Sequence, residues 1–177
     1  HPFSIISGKD DRILRFCAKI IGDYTLHLKN LRREDLVTIH GPYGHFGQKF
    51  LRNPRVVCIA GGIGITPFIS MLKSTDPKQS VHKNVHLFYS VSHELEAIHH
   101  AKLLSLAALN PQLNYHQHIT KIQGRLTAGM IQHETGNLKD WLIFLCGPTS
   151  MMQSLCDQFL TLGVKNRQII YEDFSLK

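Results

Sequence analysis

Two glycine-rich turns, each running into a proline, carry the residue types that hold a polyanion. Gly61-Gly62-Ile63-Gly64-Ile65-Thr66-Pro67 follows directly on the apolar run 55–60. Glycine lets a backbone come close to a ligand, and proline suits the first turn of a helix. A strand, a glycine turn and a helix start together aim unpaired N–H groups and a helix dipole at one spot, which favours a pyrophosphate. The same spacing also serves as a plain structural turn. The second turn, Cys146-Gly147-Pro148, follows another apolar run and opens a helix at Pro148. A thiol that ends a strand is either part of a site or an ordinary buried side chain.

The elements that must position these turns read as an α/β domain. From about residue 53, apolar strands alternate with amphipathic helices, the pattern of a doubly wound parallel sheet. Five strands are expected, over 55–60, 84–90, 113–119, 141–146 and 168–171. Most are continuous in Val, Ile, Leu and aromatics, as doubly buried strands are. The third alternates, with Leu113, Tyr115 and Ile119 between polar residues, and reads as an edge. Leu95, Ile98, Ala101, Leu104 and Ala108 repeat at helical spacing, as do Met151, Leu155, Phe159 and Leu162. In a sheet of order 3-2-1-4-5, the reversal lies between strands one and four, and both turns line the crevice there. The acidic residue that usually follows strand two of a Rossmann site is missing, because that strand runs into Tyr89-Ser90-Val91-Ser92-His93.

The first 52 residues differ. They suggest a strand over 12–20, a short helix opening near Thr25, and a strand over 35–40 that ends in Gly41-Pro42-Tyr43-Gly44. These strands are too few to close a barrel, so further strands are expected upstream of His1. Asn53-Pro54 reads as the boundary between the two units.

Composition narrows the classes. The 177 residues are 43% hydrophobic and 19% charged, as in a globular chain. The net charge of +7 is scattered, with no basic stripe interleaved with aromatics, so no nucleic-acid partner is expected. Cys17, Cys58, Cys146 and Cys156 form no metal-ligand spacing, and a reducing, cytoplasmic setting fits them. The uncharged run 56–72 is too short to span a bilayer, and no signal peptide is visible. Among the twelve histidines, His99 with His100 is placed on a helix, and His116 with His118 on one face of the edge strand. They read as solvated surface, with no metal site expected.

Four motifs in order resemble the ferredoxin–NADP reductase superfamily. They are Ala60 to Pro67, Leu145-Cys-Gly-Pro148 with Met151 and Met152 behind it, the tail Tyr171-Glu-Asp-Phe174, and the opening His1-Pro-Phe-Ser4. The last is similar to the flavin motif of the ferric reductase and NADPH oxidase branch. The resemblance implies residues 1–52 as the C-terminal part of an FAD-binding β-barrel and 53–177 as an NAD(P)-binding domain. It places His1, Pro2, Phe3 and Ser4 along the isoalloxazine, with the Ser4 hydroxyl near its N5. Gly22, Tyr24 and Thr25 belong to the segment that holds the FAD pyrophosphate, although Thr25 serves equally as a helix cap. Gly61, Gly62, Gly64, Ile65, Thr66 and Pro67 would hold the NAD(P)H pyrophosphate. Cys146, Gly147, Pro148 and Met151 would lie against the nicotinamide, with Cys146 positional. Glu172 and Phe174 match the family's carboxylate and flavin-covering aromatic, though Ser175, Leu176 and Lys177 extend beyond it.

At Ser92 the sequence departs from NADPH-selective members, which carry an arginine for the 2′-phosphate. Ser90 and Ser92 offer only hydroxyls, and NADH is slightly favoured. The implied reaction passes hydride from NAD(P)H to FAD. Single electrons then go to an acceptor outside the chain: a haem in a transmembrane domain, a ferric chelate or a redox protein. The setting is cytoplasmic, or the cytosolic face of a membrane. Competing readings are a non-catalytic nucleotide-binding or electron-transfer module and a soluble flavin reductase.

Overall fold

A computed structural model describes residues 1–75 and 84–172. Its centre is a five-stranded parallel sheet of order β3-β2-β1-β4-β5. The strands are β1 (Arg55–Gly61), β2 (Asn84–Val91), β3 (Leu113–Ile119), β4 (Leu142–Cys146) and β5 (Ile169–Glu172). The third strand is an edge, as its alternation predicts, and the order reverses between β1 and β4 as expected. All residues of β1 after Arg55 are buried, which explains its unbroken apolar sequence.

Helices cover both faces. On one, Val56, Cys58, Ala60, Leu87, Tyr89 and Phe144 pack with α3 (Thr66–Lys73) and α4 (His100–Leu109). On the other, Val57, Ile59, Ile143 and Leu145 meet α6 (Ala128–Thr135) and α7 (Thr149–Thr161). The stripe on α7 is present, with Leu155 and Phe159 buried, although Leu162 lies past its end and is exposed. Truncating a fully buried aromatic such as Phe159 costs about 3–5 kcal/mol.

The stripe expected over 95–108 is corrected. Leu95 is 99% exposed and Leu104 half exposed, whereas Leu103 is fully buried. The reason is a break at His99, whose φ of 63° is left-handed, so the helix begins at His100 and its phase is reset. His99 and His100 therefore do not share a helix interior. The solvated reading of the strand histidines is also overturned. His118 on β3 and His86 on β2 are buried, and His116, which lies against His86, is half-buried.

In the first 52 residues, the strands expected over 12–20 and 35–40 do not form. A single antiparallel bridge joins Ile5 to Phe16, and 35–40 has no ladder partner among the described residues. A strand without a neighbour leaves its N–H and C=O groups unpaired, so it is not held as a strand. The short helix does form, as α1 (Asp23–His27), two residues earlier than Thr25.

Three helices went unanticipated, α2 (Phe46–Arg52), α5 (Thr120–Gln123) and α6, and of these α2 packs on the sheet through Phe50, which is fully buried. Phe46 meets Phe144 edge-on at 5.2 Å, and Phe50 meets it at 6.0 Å. The short helix α5 follows β3. No described helix is long and apolar enough to cross a membrane.

Candidate functional site

The two glycine turns meet at the carboxyl ends of β1 and β4, where Ala60 and Cys146 are register partners. Their glycines serve this meeting more than the open crevice. A Cβ on Gly64 would stand 2.5 Å from the Cys146 carbonyl carbon, and one on Gly61 would stand 2.6 Å from Pro148 Cδ. A Cβ on Gly147 would lie 2.9 Å from the Gly61 Cα, with Met151 packed across both. Only Gly62 has free space around it, and its φ of 54° is the left-handed region that glycine enters readily. Gly62 thus leaves open space in front of the turn, while Gly61, Gly64 and Gly147 let the turns touch.

Beyond Gly61 the chain makes a 3₁₀ turn, Gly62–Ile65, and enters α3 with Thr66 and Pro67 buried in its first turn. The Thr66 hydroxyl donates to the Ile63 carbonyl at 3.0 Å, which fixes the turn. At the start of α3 the Thr66 amide donates to the Ile63 carbonyl and Pro67 carries no N–H, so the first turn leaves few free donors. On the β4 side, Pro148 caps α7, its carbonyl accepting from the Met151 and Met152 amides at 2.9 and 3.1 Å.

Cys146 is fully buried and is the register partner of Glu172 on β5. Burial, then the nearby Glu172 carboxylate, raise the Cys146 thiol well above its ordinary value, so it stays protonated. Burial also raises the Glu172 carboxyl. The pair is suited to positioning and to holding a proton, not to nucleophilic attack. Phe174 lies outside the described residues.

A cavity of about 350 Å³ opens on the same turn. His1, Pro2, Phe3 and Ser4 line it with Cys17, Gly22, Tyr24, Thr25, Ile63 and Thr66. The motif at 1–4, the α1 segment and the first glycine turn are thereby brought together. Its walls are flat: the His1 and Tyr24 rings stack at 4.1 Å, and Phe3 lies 6.4 Å from Tyr24 at 17°. These residues fit a planar ring system such as isoalloxazine.

The Thr25 hydroxyl is not free for a phosphate. It accepts from the Ile21 and Gly22 amides at 2.9 and 3.1 Å and donates to the Gly22 carbonyl. It closes the capping box at the start of α1, where Gly22 is the N-cap and Thr25 the third helical residue.

The cavity's two sides are pinned to each other. Ser70 Oγ donates to the Ser7 carbonyl at 2.7 Å, and the Lys9 amide donates to Ser74 Oγ at 3.0 Å. Lys73 Nζ pairs with Asp11 at 2.8 Å.

Ser90 is buried beside Gly61 in register, at the crevice. Ser92 is exposed two residues further on, outside it. Its amide donates to the Glu96 carboxylate at 3.1 Å, and its carbonyl accepts from the Lys121 amide at 3.4 Å. An acidic side chain therefore does stand at the end of β2. It is Glu96, folded back from a 3₁₀ turn, and the only signal for it in the sequence was a glutamate four residues after Ser92. Cys17 and Ile63 are further lining residues that sequence reasoning did not assign: Cys17 lies in no motif, and Ile63 stands between the glycines of the first turn.

Comparison with known proteins agrees with this geometry. The chain is 27% identical over 146 residues to the toluate 1,2-dioxygenase electron transfer component of Pseudomonas putida, covering 80% of this chain and 43% of that protein. It is 38% identical over 105 residues to ferric reduction oxidase 8, mitochondrial, of Arabidopsis thaliana, covering 51% of this chain and 14% of the relative. The chain thus spans less than half the length of either relative. Among solved structures, the flavohemoglobin of Malassezia yamatoensis with bound FAD and haem superposes with a TM-score of 0.80. That match is 22% identical and covers 98% of this chain and 46% of the other, so it speaks to the fold. The oxidoreductase NAD-binding domain model matches residues 58–157, which contain both glycine turns, and the chain belongs to that family.

Proposed function

We propose that this chain is the nicotinamide-binding part of an FAD-dependent NAD(P)H oxidoreductase, with residues 1–52 belonging to an FAD-binding barrel. One observation carries the reading: the turn that meets Cys146 through Gly64 also lines, through Ile63 and Thr66, the flat-walled cavity of His1, Phe3 and Tyr24. Two planar rings bound on either side of that turn would lie in adjoining spaces. Such proximity is the main requirement of hydride transfer.

FAD, when bound, accepts a hydride and gives up electrons singly. The chain's own residues bind and orient. The backbone of the glycine turn 62–65 receives the dinucleotide pyrophosphate, and Gly62 gives it room. Gly147 and Pro148 border the nicotinamide with the buried Cys146 behind them, and Ser4 lines the flavin cavity. Glu172 holds a proton behind Cys146. Large apolar side chains that are exposed in 1–52, Ile21 at 80% and Leu36 at 100%, are what a barrel wall would cover. The acceptor is a haem, a ferric chelate or a redox protein, the kinds of partner that the names of the relatives describe.

Anaerobic mixing of the FAD-loaded protein with NADH tests this. Bleaching of the flavin absorbance is the expected result; binding of both cofactors without bleaching would refute it.

A further inference from the structure

On the sheet face covered by α6 and α7, most positions are apolar, but those nearest the β3 edge are not. Register sets His86, Phe88 and Ser90 of β2 beside Asn114, His116 and His118 of β3. Three of these rings run nearly parallel. Phe88 and His116 have centroids 4.4 Å apart and planes 8° off parallel, and His86 and His116 are 5.3 Å and 10° apart. His86 Nδ1 and His116 Nε2 share a hydrogen bond at 3.1 Å, and His86 meets Trp141 edge-on at 5.3 Å.

The stack ends at His116. Because β3 is the edge of the sheet, the face of His116 turned away from Phe88 has no further strand beside it. His116 and Phe88 line a cavity of about 510 Å³, together with Leu126, Met130, His133 and Glu134. None of these residues belongs to the crevice or to the cavity at His1.

We propose that this cavity is a second small-molecule site, for a planar aromatic ring bearing a positive charge or an amino group. The ring extends the stack on His116, and its charged edge meets Glu134. Offset stacking and the attraction of a cation to ring faces both favour such a guest. The carboxylate selects against an anion. The imidazoles do not oppose a cation, since burial lowers both His86 and His116 and keeps them neutral at physiological pH. Glu134 is in electrostatic reach of both rings, and its tie to His133 Nδ1 is a loose 3.4 Å. A metal ion is the weaker guest, because no three His, Cys, Asp or Glu among the described residues are arranged to hold one. The volume lies within the usual range for small-molecule pockets, about 300–1,000 Å³.

Trp141 is the single tryptophan, so its emission reports on the stack through His86. The test is titration of the full chain with 9-aminoacridine, a planar cation, followed by calorimetry and Trp141 emission. Saturable binding is expected, with excess NADH failing to displace it and a naphthalene sulfonate failing to bind. His116→Ala and Glu134→Gln should each weaken it by about tenfold. Glu134→Gln leaves the stack intact, so its loss of binding is not a loss of fold, and thermal unfolding verifies this. No binding to the folded chain, binding indifferent to both substitutions, or displacement by NADH would overturn the proposal. The nicotinamide reading is tested by NADH itself and survives or fails separately.

Discussion

Gly64 lies against the Cys146 carbonyl so closely that a Cβ at position 64 would stand 2.5 Å from its carbon and 2.8 Å from the Gly147 nitrogen. Backbone, unlike a flexible side chain, cannot swing aside. Gly64→Ala should therefore separate the two turns, cost roughly 1–3 kcal/mol of stability and abolish nicotinamide binding. Gly62→Ala meets no atom within 4 Å, and its left-handed φ sets a smaller penalty of about 1 kcal/mol. Denaturant unfolding of the two variants, with NADH titration of each, checks the contrast; equal effects would contradict it.

Thiol labelling should follow burial. Cys58 and Cys146 are buried, while Cys17 and Cys156 are half-buried. Iodoacetamide is expected to modify Cys17 and Cys156 first and Cys146 only on unfolding, because its thiol is held protonated. FAD should protect Cys17, which lines the cavity at His1, and leave Cys156 unprotected. Peptide mass analysis decides it, and rapid labelling of Cys146 in the native chain would be the contrary result.

Acid should destabilise the fold through the buried histidines. Burial, then the neighbouring His116, lower His86 from 6.5 to about 4. The unfolded chain then binds more protons than the native one between those values, so stability rises with pH there. It should be fully present above about 6.5 and decline as pH falls towards 4, by at most roughly 3 kcal/mol. His86→Phe should flatten that limb of the stability curve in thermal scans. An unchanged limb would assign the proton uptake elsewhere.

At Ser92, an arginine should pair with a 2′-phosphate and shift preference towards NADPH by about tenfold, some 1.4 kcal/mol. Glu96, whose carboxylate already holds the Ser92 amide, opposes the phosphate in the native chain. Comparing NADPH and NADH affinities of Ser92→Arg with those of the native chain measures it. No shift would mean that the ribose lies elsewhere.

What the sequence made legible is what depends on local pattern. The five strands follow from apolar runs, and the closeness of the two turns follows once the strands take the usual order of a doubly wound sheet. Motif resemblance located the His1 cavity. Features set by tertiary contact were not legible. The break at His99 reset the phase of α4, and α2 is recognisable only once Phe50 has a sheet to pack on. The histidines of β2 and β3 are polar by type and buried by partnership. Thr25 was readable as a cap or a phosphate ligand, and only its hydrogen bonds distinguish the two. The glycines show the same limit, since spacing could not tell a close approach to ligand from a close approach of two turns.

The most direct measurement is calorimetric titration of the chain with NADH and with NADPH, repeated with FAD present. The proposed crevice beside Gly62 predicts binding of at least one nicotinamide cofactor, strengthened by FAD because the turn at 61–67 touches Cys146 and also lines the His1 cavity. Absence of binding by either cofactor to the folded chain, with or without FAD, would contradict it.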